Sequence, residues 1–150
     1  MSEASEFLKR LTIFQSLSDD ELAMVAELCQ PVKLRSGDMI VAIGDPADCF
    51  YLIQRGTVQI VTRDEPASQG EAAGDGVRLS LGRGQAFGEM ALVDGGPRSA
   101  TARASSDLAL YVINCAKLIA LCEQFPSLGY RVMRNVAADL SFKLRQRNLM

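Results

Sequence analysis

From Pro31 to Val112 glycine cuts the chain into short runs, and that punctuation restricts the fold more than any other feature. VKLRSGDMIVAIGD, FYLIQRGTVQIVTRD, VRLSLGRGQAF and SATARASSDLALYVI each hold strand-forming residues between turn signals. Gly37-Asp38, Gly44-Asp45, Gly56, Gly82 and Gly84 mark the corners, where a residue without Cβ tolerates φ > 0. Short strands at this spacing predict an antiparallel β-roll, jelly-roll-like, in which two faces close on one core. The stretch Asp64–Gly76, DEPASQGEAAGDG, interrupts the rhythm and reads as a long, mobile hairpin loop.

Helical signals stand on both sides of the roll. Ser18-Asp19-Asp20-Glu21 is a capping box, after which Leu22, Val25, Ala26, Leu28 and Cys29 recur at helical spacing until Pro31. Ahead of it, Phe7, Leu8, Leu11 and Phe14 predict a short helix and an apolar turn. Asn114 is an N-cap for a helix over 115–124, stopped at Phe125-Pro126. A longer helix is expected from about Ser127 to Arg147, with Leu128, Val132, Met133, Val136, Leu140 and Leu144 on one stripe. The organisation is one domain, 1–150, divided into a helical segment 1–30, a roll 31–113 and C-terminal helices 114–150.

Composition narrows the chemistry. Among 150 residues there is no histidine, which removes the commonest general base and the commonest metal ligand. The chain is therefore read as neither an enzyme nor a cofactor protein, and a cupin-like metal barrel loses its usual ligands. A net charge of −2 gives no general attraction to nucleic acid, and no apolar run approaches the roughly 20 residues of a membrane span. The polar N-terminus MSEASEFLKR lacks the features of a secretory signal, so a cytoplasmic location is expected. Cys29, Cys49, Cys115 and Cys122 lack metal-site spacing and read as buried free thiols.

One connection in the roll carries chemistry: FGEMALVDGGPRSAT, residues 87–101. Gly88 permits close backbone approach, and Glu89-Met90-Ala91-Leu92 can form one helical turn whose amides favour an anion. Pro97 presents Arg98, suited to phosphate oxygens, beside the hydroxyl of Ser99 and the small Ala100. Glu89, set apart from the phosphate, can accept a hydrogen bond from a sugar hydroxyl, as acidic residues do for ribose. A single arginine with no Walker lysine suits a phosphodiester better than a triphosphate. A cyclic mononucleotide satisfies every one of these groups.

The run F-G-E-x-A-L…P-R-S-A-T resembles the phosphate-binding cassette of the cyclic nucleotide-binding domain family, which includes the catabolite activator protein and the protein kinase A regulatory subunit. The resemblance extends to Leu17-Ser18, Gly37-Asp38, the FYLIQRGTVQI hairpin and the closing helices. It implies that Glu89 binds the ribose 2′-hydroxyl and Arg98 the cyclic phosphate. Phe87, Gly88, Met90, Ala91, Ser99 and Ala100 complete the site, and cAMP is favoured over cGMP. It further implies C-terminal helices that move on binding and signal to a second copy or a partner protein. The family's transcription factors continue into a helix-turn-helix; residues up to Met150 show none, so no direct nucleic-acid binding is expected. The same alignment places Lys143 and Leu144 near the base. Arg131, Arg134, Lys143, Arg145 and Arg147 otherwise read as a solvated helix face. The rival reading is an interaction module that keeps the fold without binding.

Overall fold

The computed structural model describes residues 2–62 and 77–146; the loop expected over Asp64–Gly76 lies outside them, as does Arg147. Three short helical elements come first: α1 (Glu3–Lys9), a 3-10 turn (Thr12–Phe14) and α2 (Asp19–Ala26). Eight strands follow: β1 (Gln30–Leu34), β2 (Met39–Val41), β3 (Cys49–Arg55), β4 (Val58–Val61), β5 (Val77–Leu81), β6 (Ala86–Phe87), β7 (Thr101–Ala104) and β8 (Leu108–Asn114). A second 3-10 turn (Glu89–Leu92) lies between β6 and β7, and α3 (Cys115–Gln124) and α4 (Pro126–Gln146) close the chain.

The strands form two four-stranded sheets, ordered β1-β8-β3-β6 and β2-β7-β4-β5, with every pairing antiparallel. First pairs with last and so inward, β1 with β8, β2 with β7, β3 with β6 and β4 with β5, which is the nested order of a jelly roll. The expected β-roll with flanking helices is therefore the observed fold, with one correction to its wiring. FYLIQRGTVQI is not a hairpin: β3 and β4 belong to different sheets, and Gly56 carries the chain across the corner at φ 94°. A Cβ there would stand 2.2 Å from the Asp107 carbonyl oxygen, which leaves glycine alone able to fill the corner. Gly82 does not need a positive φ; in its turn Gly84 supplies that conformation.

Two cores result. Inside the roll, Ile53, Val58, Leu81, Phe87, Ala102, Ala104, Leu108 and Leu110 pack between the sheets. The opposite face of the first sheet, with Phe50, Leu52, Tyr111 and Ile113, packs on the helices. The period-2 alternation of β8 explains the division, since Leu108 and Leu110 point one way and Tyr111 and Ile113 the other.

The helices seat as their caps dictate. Ser18 and Glu21 form the capping box reciprocally, Glu21 N–H to Ser18 Oγ (3.2 Å) and Ser18 N–H to Glu21 Oε1 (2.8 Å). α2 ends at Ala26, well before Pro31, which lies instead in the edge strand β1, where a missing N–H does no harm. Asn114 caps α3 through Lys117 N–H, 3.0 Å. Pro126 both ends α3 and opens α4, the one helical position where proline sacrifices no bond.

The first half of α4 is deeply anchored. Leu128, Val132 and Val136 are fully buried, and Gly129 lies so near α3 that a Cβ would stand 2.6 Å from the Cys122 carbonyl oxygen. Arg131 grips Glu21 with both terminal nitrogens (2.8 and 2.5 Å) and also donates to the Ser16 carbonyl (2.6 Å). Asn135 donates to the carbonyls of Ile13 and Gln15. Arg131 is thus no solvated residue; it clamps the N-terminal segment to α4. No helix among the described residues is long and apolar enough to cross a membrane.

Candidate functional site

The connection from β6 to β7 turns at Gly88, whose φ of 83° caps the 3-10 turn Glu89–Leu92. A Cβ at Gly88 would meet Arg98 Nη1 at 2.7 Å, so the glycine makes room for the guanidinium. The backbone of Arg98 is fixed to the β2–β3 connection: its N–H donates to the Asp45 carbonyl and its own carbonyl accepts from Gly44, both at 2.8 Å. Its side chain runs back under the turn, where Nη2 donates to the Cys49 carbonyl (2.6 Å) and the guanidinium lies 5.5 Å from the Tyr51 ring centre. Tyr51 in turn stacks on Phe87, with centres 4.9 Å apart. Arg98 is 7% exposed, and among the described residues its Nε has no hydrogen-bond partner.

Glu89 is deeper still, at 2% exposure. It and Arg98 are the two charged residues buried among those described. Its partner comes from the far end of α4. Lys143 Nζ donates to Glu89 Oε1, to the Ala86 carbonyl (3.0 Å), and approaches Asp139 Oδ2 at 3.1 Å, an ion pair without hydrogen-bond alignment. Burial pushes the Glu89 carboxyl above its ordinary range, with the Lys143 charge pulling the other way. For Lys143 burial works against the charged form, yet Glu89 and Asp139 together raise its pKa, so the ammonium stays charged.

The residues singled out in the sequence do not share one environment. Phe87, Glu89, Ala91 and Arg98 are buried; Ala100 is half-buried; Met90 and Ser99 face solvent. The Ala91 amide is already bonded to the Gly88 carbonyl at 3.2 Å. Sequence reading passed over Tyr51 and the Cys49 carbonyl, which lie far from the cassette along the chain. Lys143, expected near the base or otherwise on a solvated face, is joined instead to Glu89. The signal for that was present: Asp139 and Lys143 stand four apart on one helix, a spacing that puts both on one face.

The connection therefore holds a buried carboxylate and a buried guanidinium with a spare N–H, set around one glycine. The sequence profile of the cyclic nucleotide-binding domain matches residues 31–125, nearly the whole roll and α3. The chain belongs to this family. The catabolite activator protein of Thermus thermophilus shares 30% identity with it, at a TM-score of 0.74 over 92% of this chain and 60% of that one. The regulatory domain of Toxoplasma gondii PKA, solved with cAMP, shares 27%, at a TM-score of 0.67 over 78% of this chain and 42% of that one. Glutaminase 1 of Bradyrhizobium diazoefficiens is 34% identical over 133 residues, 88% of this chain and 20% of that protein. The chain spans 20% to 28% of the length of the curated relatives it matches. The domain family is a regulatory one, and in this chain its fold includes both N-terminal helices and the two that follow the roll.

Proposed function

We propose that the chain is a cyclic nucleotide sensor that takes cAMP in preference to cGMP. In this reading Arg98 pairs with the cyclic phosphate and Glu89 accepts the ribose 2′-hydroxyl. Gly88, Met90, Ser99 and Ala100 line the path between them, with Phe87 and Ala91 supporting the turn from beneath. The observation that carries it is the convergence of Glu89 and Arg98, both buried, on the single connection that a glycine at φ 83° shapes. Burying two charges is costly unless each meets a partner, and the Arg98 Nε still lacks one among the described residues. A phosphodiester supplies the matching acceptor, and the neighbouring carboxylate accepts a hydroxyl but repels a second phosphate. The preference for cAMP draws on the Toxoplasma gondii relative solved with that ligand.

The output is a change in the seating of the C-terminal helices, above all the distal part of α4, read by a second copy or a partner protein in the cytoplasm. Tyr130, Phe142 and Leu144 are exposed on that helix and offer the apolar contacts. Ligand shifts the helix only if it binds one seating better than the other. The rival reading, an interaction module without a ligand, has one observation in its favour: Lys143 already satisfies Glu89.

Calorimetric titration of the nucleotide-free protein with cAMP and cGMP separates the two. Arg98→Ala removes one partner of a buried phosphate and is expected to cost about 2–5 kcal/mol, at least tenfold in affinity. No heat and no change in melting temperature with either nucleotide would leave the interaction module standing.

A further inference from the structure

We propose that Lys143 is a built-in competitor for the sugar subsite: while α4 is closed on the roll its ammonium holds Glu89, and it must leave before a ribose hydroxyl can reach that carboxylate. The inference rests on the reading of the site as a cyclic nucleotide pocket and adds to it a residue outside the cassette.

Three observations support it. First, the Glu89 side chain is 3% exposed and its Oε1 is already taken by the Lys143 ammonium, so a ribose hydroxyl would have to compete for that oxygen. Second, the ammonium donates two hydrogen bonds there, to the Glu89 carboxylate and the Ala86 carbonyl, and stands at ion-pair distance (3.1 Å) from the Asp139 carboxylate. The contact is a formed lock and no chance approach of a flexible side chain. Third, little else holds this end of α4. Beyond Val136 no described residue is buried; Leu140 is half-buried against the helical core, and Phe142, Leu144, Arg145 and Gln146 are exposed. A helix end with so few apolar contacts is loosened at low cost, and one polar contact then sets its position.

The site thus carries its own reference ligand. A nucleotide's apparent affinity is its intrinsic affinity scaled by the fraction of molecules in which Lys143 has released Glu89. Because the competition is for the carboxylate, it acts on ligands that need Glu89 and spares those that do not.

The test compares the whole chain with Lys143→Met and Lys143→Gln, titrated with cAMP and with 2′-deoxy-cAMP, folding being checked by melting temperature. If the lock is closed in nine molecules of ten, its removal tightens cAMP binding about tenfold, while 2′-deoxy-cAMP changes little. Binding of cAMP by the variants alone would support the same conclusion. Unchanged or weaker cAMP binding in both variants overturns the competition and leaves the pocket reading intact; weaker binding would make Lys143 a ligand contact. An equal gain for both nucleotides also overturns it, because helix closure rather than the carboxylate would then be what the variants release. No binding by any protein overturns the pocket reading and the competition together.

Discussion

Helix α4 is tied to the rest of the molecule by two carboxylate–cation pairs, twelve residues and about 18 Å apart along its axis, and they differ in the burial of the carboxylate and in the apolar packing around the helix. Arg131–Glu21 sits at a half-wet helix junction, among fully buried apolar neighbours, with further bonds to backbone carbonyls. Lys143–Glu89 sits in the roll, with the carboxylate buried and hardly any apolar packing around the helix that supplies the lysine. The hydrogen bonds of Arg131 hold the Glu21 carboxyl below its ordinary pKa, whereas burial holds Glu89 above. A pair whose carboxylate is comfortable is fastening; a pair whose carboxylate is strained by desolvation can be exchanged for another partner. The first half of α4 is an anchor, the second a movable end.

Apolar truncation gives the largest expected contrast. Leu128→Ala, at a fully buried position in the anchored half, is expected to cost about 2–5 kcal/mol, whereas Leu144→Ala in the distal half stays within about 0.5 kcal/mol. Denaturant unfolding of both variants measures this, and comparable losses would erase the distinction between the halves.

The two glutamates give a smaller, sharper contrast. Glu89→Gln is expected to leave stability nearly unchanged, since the desolvation cost of the carboxylate disappears together with its ion pair and Lys143 keeps Asp139 and the Ala86 carbonyl. It should weaken cAMP binding roughly tenfold to a hundredfold, the worth of one charged hydrogen bond. Glu21→Gln is expected to do the reverse, leaving affinity alone and costing up to about 1 kcal/mol, as partly exposed ion pairs do. Their pH dependences have opposite signs. Because Glu21 has a lowered pKa in the fold, its contribution is full above its reference value of 4.5 and is lost as the pH falls through the lowered value. Glu89 has a raised pKa, so its contribution is full below 4.5 and is lost as the pH rises through the raised value. Melting temperatures of the two variants against wild type across that range resolve the signs.

Much of this was legible in the sequence because it is local. The capping box at Ser18–Glu21, the N-cap at Asn114, the glycine corners and the one-turn helix at Glu89–Leu92 each depend on residues within a few positions of one another. The cassette could be read for the same reason. What escaped depends on contacts between distant segments. That β3 and β4 enter different sheets follows from the nested pairing of eight strands, which no single run of residues encodes. The engagement of Arg131 with Glu21 and of Lys143 with Glu89 spans 110 and 54 residues of sequence, so neither carboxylate partner can be read from the helix that carries the cation. The carbonyl of Cys49, which holds the guanidinium of Arg98, has no signature in the sequence at all.

Hydrogen exchange along α4, measured by mass spectrometry with and without saturating cAMP, tests the central claim most directly. Amides of 128–136 should be protected and unaffected by the ligand, while those of 139–146 should change their exchange rate when it binds. A helix that responds uniformly, or does not respond at all, would contradict the division into anchor and movable end and the sensing mechanism built on it.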